Sequence, residues 1–318
     1  MKTAIVGAGI GGSYLYRLLK QRRQNVTVDI FSIKSKTACL IRPCGWLINY
    51  PEMIKLIKEV GMNLDQYVLK RFSTVLVFGK HIPASIATID KPRLIKDFLS
   101  GAEVEYSVPD VSQYDRVIDA TGRRAFLPKR DERLLVKVNQ ARCEGNGREF
   151  PEYIVDNFHG LGYFIPLGNT THIGYGSIKN SGTEEISALL AGRTIICSCT
   201  SDLWMGGPIF PVIYGKFCGI GESIGLVDPL TGAGIIPAMF SARALIDYWY
   251  DLKGYEEYIK HTYGYLSRGA VALRSNNPVV KAFNLALSCR ESSKLVGLNV
   301  GIFGLINLIR LAYFKGVD

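Results

Sequence analysis

Apolar residues recur along this chain in two rhythms. Short unbroken apolar runs end in glycine, and longer stretches carry apolar residues every three or four positions. The first rhythm predicts buried strands of a parallel sheet, and the second predicts helices with one covered face. Thr3-Ala4-Ile5-Val6 is a run of the first kind, and a helix is predicted behind it from about Gly11 to Gln21. The stretch Val26 to Phe31 predicts a second strand. Val117 to Gly122 (VIDATG) predicts a third that ends at a small sharp turn, and Phe217 to Ile220 predicts a fourth. A helix is predicted from about Ile235 to Tyr250.

Other segments follow a different plan. Pro51 to Glu59 reads as helical, Thr74 to Phe78 as strand-like, and a helix is expected to open at Arg93 behind Lys91-Pro92. Leu134 to Val138 and Thr171 to Gly176 read as short strands in a β-rich stretch. Residues 251–318 read as helices separated by Gly264, Gly269 and Pro278. Val279, Val280, Phe283, Ala286 and Leu287 share one helical spacing there, so that face meets either a core or partner, or else a tunnel or membrane. The predicted class is α/β. Residues 1–48, 88–125 and 205–250 are expected to build a Rossmann-like, doubly wound parallel sheet. Residues 49–87 and 126–204 are expected to form an interleaved, smaller β-rich domain, and 251–318 a C-terminal helical region. No internal repeat is visible.

Two glycine-rich loops carry the candidate chemistry. In GAGIGG, Gly7 permits a tight turn, Gly9 lets the backbone approach a pyrophosphate, and Gly12 lets the helix pack on the sheet. Free N–H groups at the helix start would face that anion. An acid is expected at the end of the second strand to hold a ribose. Ser32 stands there instead, while Asp29 lies inside the strand, and either side chain is a candidate for the contact. In the second loop, Gly221-Glu222-Ser223 form a turn with an acid able to accept bonds from hydroxyls. Asp228 to Gly234 then lead into another helix start.

Five stretches carry a family resemblance. They are GAGIGGSYL from Gly7, RPCGW from Arg42, PRLIKDFL from Pro92, GLGYFIPLGNTTHIGYG from Gly160, and GESIGLVDPLTGAG from Gly221. Their order resembles flavoproteins built on the hydroxybenzoate-hydroxylase plan and is most similar to the geranylgeranyl reductase family, over about residues 1–250. The resemblance implies a non-covalent FAD, an isoprenoid lipid substrate, and hydride delivery from flavin N5 to an isolated carbon–carbon double bond. It implies FAD contacts at Gly7, Gly9, Gly11, Gly12, Ser32, Arg42, Cys44, Gly45, Thr121, Gly122, Gly221, Glu222, Asp228, Pro229, Gly232, Ala233, Gly234 and Ile235, with Arg93 at the diphosphate. It further implies that a prenyl chain passes Tyr163, Phe164 and Pro166. Cys44 lies near flavin and substrate in this reading and is a candidate proton donor. Glu222 stands where the family usually has Asp. A flavin-dependent monooxygenase or halogenase acting on a small apolar or aromatic molecule would share the same plan.

Composition narrows the partners. The chain has 318 residues, is 47% hydrophobic and carries a formal net charge of +10, with a mean hydropathy of +0.12. No nucleic-acid motif accompanies the charge, so anionic lipid or substrate is the expected partner and nucleic acid is not. No second GxGxxG is visible, so electrons are expected from an external donor, ferredoxin-like or a reduced nicotinamide. The longest greasy stretch, Leu295 to Phe314, is broken by Asn299, Asn307 and Arg310 and reads as a core or interfacial helix. A cytoplasmic protein that contacts membrane is expected. The seven cysteines, Cys39, Cys44, Cys143, Cys197, Cys199, Cys218 and Cys289, show no regular spacing, so no disulfide framework is expected. The four scattered histidines predict no metal site.

Overall fold

A computed structural model describes residues 1–318 except 24, 34–42, 78, 130–133, 146–147, 157–159, 179–180 and 300–318. In chain order the strands are β1 (Lys2–Val6), β2 (Thr27–Phe31), β3 (Leu47–Asn49), β4 (Val68–Val77), β5 (Lys80–Ile89), β6 (Val104–Glu105), β7 (Arg116–Asp119), β8 (Leu134–Glu144), β9 (Glu152–Asp156), β10 (Gly160–Pro166), β11 (Thr170–Ser177), β12 (Ile195–Met205), β13 (Ile213–Tyr214) and β14 (Phe217–Gly219). The helices are α1 (Ile10–Arg22), α2 (Tyr50–Glu59), α3 (Lys91–Phe98), α4 (Thr183–Leu190), α5 (Ile235–Asp247), α6 (Leu252–Arg274) and α7 (Pro278–Leu295).

Two sheets organise these elements. The first has six strands in the order β13-β14-β7-β1-β2-β6, all parallel except the β13–β14 hairpin. Its central strands are apolar runs because both of their faces are covered. Ile5, Ile30 and Ile118 pack into one core with Leu15, Leu18 and Leu19 of α1 and Met239, Ala242 and Leu245 of α5. The second sheet has eight strands in the order β12-β8-β11-β10-β9-β4-β5-β3, antiparallel throughout except for β4 beside β9. Each sheet draws on separated parts of the chain, and the short strand β3 already belongs to the second.

Helix starts divide into two kinds. Asn49, Asp90, Asp251 and Asn277 cap α2, α3, α6 and α7 with side-chain oxygens. By contrast α1, α4 and α5 begin at Gly9, Gly182 and Gly234, with no side-chain cap. Gly264 and Gly269, expected to separate helices, lie inside the single 23-residue helix α6. At Gly269 the reason is packing, since a Cβ there would sit 2.8 Å from Cγ of Pro229, whereas a Cβ at Gly264 would meet nothing within 4 Å. Pro278 does open a helix, at the first position of α7, where its missing N–H costs nothing. Cys197 on β12 is disulfide-bonded, a bond that the cysteine spacing did not indicate. Cys44, Cys143, Cys199, Cys218 and Cys289 are free thiols. The helix expected over Leu295 to Phe314 falls largely outside the described residues.

Candidate functional site

A cavity of about 1520 Å³ lies against both sheets. Its floor is made by the carboxyl ends of the parallel strands, where open α/β sheets bind ligands. Gly7 follows β1 with φ +117°, and its N–H donates to the Phe31 carbonyl at 2.8 Å. A Cβ there would collide with the Ala120 carbonyl of the neighbouring turn. At Gly12 a Cβ would strike the Gly7 carbonyl, so this glycine sets how close α1 lies to the turn. Gly9 is different, since a Cβ there meets nothing within 4 Å, and the residue lines the cavity. Gly11 also lines it and packs on α5, 3.3 Å from the Ala238 Cβ if it carried one.

Two helix starts without side-chain caps therefore border one cavity, α1 through Gly9 to Gly11 and α5 through Gly232 to Ile236. Unpaired N–H groups and the positive end of each helix dipole favour an anionic ligand there. The loop before α5 is shaped by Asp228. Its Oδ1 accepts the N–H groups of Leu230 at 2.8 Å and Thr231 at 3.0 Å, and its own N–H donates to the Ala233 carbonyl. Its side chain is fully buried and is absent from the cavity wall, where Pro229, Gly232, Ala233, Gly234 and Ile235 stand. Burial pushes its carboxyl above the ordinary aspartate value.

The turn after β7 is latched in the same way. Asp119, fully buried, accepts the Thr121 hydroxyl at 2.7 Å on one oxygen and the Phe126 N–H at 2.9 Å on the other. Thr121 and Gly122 then face the cavity. Glu222 does too, with Oε1 accepting the Trp204 N–H at 3.3 Å, which ties this loop to β12 of the second sheet. At the far end stand Ser32, Ile33, Ser107 and Val108. Between the two ribose candidates the geometry distinguishes clearly. Ser32 lines the cavity, whereas the Asp29 carboxylate accepts the Tyr114 hydroxyl at 2.9 Å and pairs with Lys2 at 3.7 Å away from it.

The opposite wall is apolar and belongs to the second sheet, including Val75, Val77, Val136, Val138, Leu203 and Met205. One polar cluster interrupts it. Gln140 Oε1 accepts the Cys44 N–H at 2.9 Å and the Tyr163 hydroxyl at 2.7 Å. Cys44, Gly45 and Tyr163 all reach the cavity. Gly174 on β11 leaves room for the Tyr163 ring, which a Cβ would overlap. Burial raises the Tyr163 phenol well above 10. Trp46, with φ +60°, lies edge-on to His172 at 4.7 Å. Burial first, and Arg142 second, lower His172 to about 3, so this imidazole is neutral.

Five expected contacts are not brought to the cavity wall: Asp228 and Gly12, which act from behind it as described above, and Phe164, Pro166 and Arg93. Phe164 and Pro166 point to the other side of β10, because neighbouring strand residues face opposite ways. Phe164 is buried against Ala141, Ile173 and Ile186. Arg93 lies outside the cavity, donating to the Gln66 carbonyl at 3.2 Å with its guanidinium over the Tyr67 ring. Arg42 falls outside the described residues. Asp119, Gln140 and Ile165 were not singled out from sequence. Asp119 sits inside the VIDATG segment, where an acid in an apolar strand was the available signal.

No protein-family model matches the chain. It is 25% identical to an uncharacterized protein of Methanocaldococcus jannaschii, across 87% of this chain and 92% of that one. Among solved structures it resembles a geranylgeranyl bacteriochlorophyll reductase-like protein from Thermoplasma acidophilum. The TM-score is 0.71 at 15% identity, covering 98% of this chain and 96% of that one. It also resembles a probable FAD-dependent monooxygenase from Pseudomonas aeruginosa, with TM-score 0.63 at 18% identity over 89% and 99% of the two chains. The fold is the Rossmann-type flavoprotein fold with a second, mostly antiparallel sheet beside it.

Proposed function

We propose that this chain is an FAD-dependent oxidoreductase that saturates carbon–carbon double bonds of an isoprenoid lipid. The observation that carries the reading is the continuity of one cavity, from the two open helix starts to the apolar sheet wall. Its volume of about 1520 Å³ exceeds the roughly 300–1,000 Å³ usual for a single small ligand. A dinucleotide and an apolar second molecule therefore fit together.

The residues suit FAD. Gly9 leaves open space where a pyrophosphate would approach, and the N–H groups beginning α1 and α5 suit its two anionic regions. Ser32, Thr121 and Glu222 offer polar atoms along the wall between them. Bound and reduced, FAD supplies a hydride for an alkene carbon. The chain's own residues supply the setting. Val136, Val138 and Met205 exclude water and hold a prenyl chain. Such placement is worth roughly 7–11 kcal/mol when reacting groups are held in line. Tyr163 keeps its phenolic proton, and its bond to Gln140 fixes the ring. The free Cys44 thiol faces the same region, so the two side chains are the candidate proton sources. Electrons come from an external donor.

The likeness to a probable monooxygenase gives a second reading, oxygen insertion into a small apolar molecule. Anaerobic reduction separates the two. The purified protein is reduced chemically and mixed with a geranylgeranylated phospholipid under argon. Return of the oxidised flavin spectrum together with a saturated product supports the reductase. A flavin that stays reduced until oxygen is admitted overturns it. Cys44→Ser and Tyr163→Phe, compared in single turnover, then divide the proton-donor role between them.

A further inference from the structure

Helix α7 is built inside out. Its buried positions carry Leu285, Ser288 and Ser292, two of them hydroxyls. Outward stand Val279 at 75% exposure, Phe283 at 63%, Leu287 at 40% and Val280 at 39%. Ala286 is exposed in the same direction, and the stripe continues into exposed Arg290 and Lys294. Across the short 275–277 connection, Val271 near the end of α6 is 45% exposed, with Arg268 and Arg274 exposed on either side. The acid within this stretch is Glu291, which pairs with Lys294 at 2.9 Å. Apolar residues left outside while serines go inside break the usual pattern, and such breaks mark functional surfaces.

The inner side of the same helix has a second duty. Leu285, Cys289, Ser292 and Ser293 line the cavity. One helix therefore divides the cavity from the exposed stripe. From this we infer that the outer face of α7 docks on an anionic lipid bilayer, with Val279, Phe283 and Leu287 at the acyl boundary and Arg268, Arg274, Arg290 and Lys294 at the headgroups. An exposed apolar patch edged by cations suits such a surface, the patch through burial at the acyl boundary and the cations through attraction to anionic headgroups. The chain's net charge of +10 favours the same partner. Among the described residues no helix is long and apolar enough to cross a membrane. The docking rests on the proposed function for its purpose, delivery of a bilayer lipid to the cavity beside α7.

Vesicle flotation of the full-length protein tests it without reference to turnover. Vesicles of phosphatidylcholine containing phosphatidylglycerol are compared with phosphatidylcholine alone, for the wild type, F283D/L287D and R290E/K294E. The anionic vesicles should carry the wild type, with binding weakened by added salt. Each variant should lose about tenfold in binding while keeping the wild-type circular dichroism spectrum. No wild-type binding, or equal binding by all three proteins, overturns the inference. A wild-type dimer in sedimentation that F283D/L287D dissolves, without vesicle binding, gives the face to a second copy instead. Reduction of a short, detergent-dispersed prenyl substrate is measured in parallel. F283D/L287D should retain it, so a protein that binds vesicles yet reduces nothing refutes the proposed reaction and not the docking.

Discussion

Gly9 and Gly12 stand three residues apart in one motif and answer to different demands. A Cβ at Gly12 collides with the Gly7 carbonyl, whereas one at Gly9 projects into open space at the cavity. Gly12→Ala should therefore destabilise the fold by about 1–3 kcal/mol, as overpacking does. Gly9→Ala should leave the flavin-free protein as stable as wild type yet lower its flavin content. Denaturant unfolding beside flavin absorbance checks both, and a Gly9→Ala protein with full flavin would remove the pyrophosphate role from that position. His172 gives a prediction in pH. The unfolded chain takes up a proton near 6.5, while the native imidazole stays neutral to about 3. Below 6.5 the unfolded state thus binds more protons, so this contribution is complete above that pH and is lost as pH falls toward 3. His172→Gln should flatten the acid side of the stability profile, and parallel profiles for the two proteins would contradict this.

At the scale of elements, β10 shows how a two-residue period sorts function from packing. Tyr163 and Ile165 reach the cavity, and Phe164 between them reaches the core behind the sheet. There the guanidinium groups of Arg148 and Arg193 lie 5.1 and 5.2 Å from its ring centre. Phe164→Ala should cost about 3–5 kcal/mol of stability with flavin content retained. Tyr163→Phe should cost only about 1 kcal/mol, the worth of one hydrogen bond, and alter turnover in the proposed lipid reduction. Calorimetry and turnover on the two variants check the pair. If Phe164→Ala proved as stable as wild type but inactive, the residue would belong to the substrate path after all. Helix α6 teaches a related lesson. Gly269 reads as a breaker in isolation but is where the helix must come close to Pro229. Tertiary contact outweighs the local cost of about 1 kcal/mol for a helical glycine.

For the whole molecule, the feature that matters is a single cavity bordered by two sheets. Its two ends should separate by mutation. Val138 lines the apolar wall, far from the glycine loops in sequence and on the other sheet. Val138→Phe should keep flavin binding and, if the proposed reaction holds, weaken binding of the proposed lipid substrate, seen as a higher lipid concentration at half-saturation in anaerobic titration. Loss of flavin with it would show that the two ends are not distinct. Four strands of the six-stranded sheet, β1, β2, β7 and β14, with their glycine turns and the helices α1 and α5, were legible from sequence because each signal is local, whereas the two-residue edge strands β6 and β13 carry too short a pattern to be read. An apolar run, a glycine at a turn and a helix start lie within a few residues of one another. Ser32 or Asp29 stayed open there, since the choice depends on which way β2 faces and on Tyr114, 85 residues away. The eight-stranded sheet was only partly legible, because its strands pair over long distances and their facing is set by register. The sequence by itself determined a dinucleotide-type α/β fold and which glycine loops line the cavity, through turns such as Gly7 that glycine makes most readily. Tertiary structure alone decided that Tyr163 faces the cavity while Phe164 does not, that Asp228 shapes its loop from inside, and that α7 turns its apolar stripe outward. Each of those depends on what packs against the residue from elsewhere in the chain.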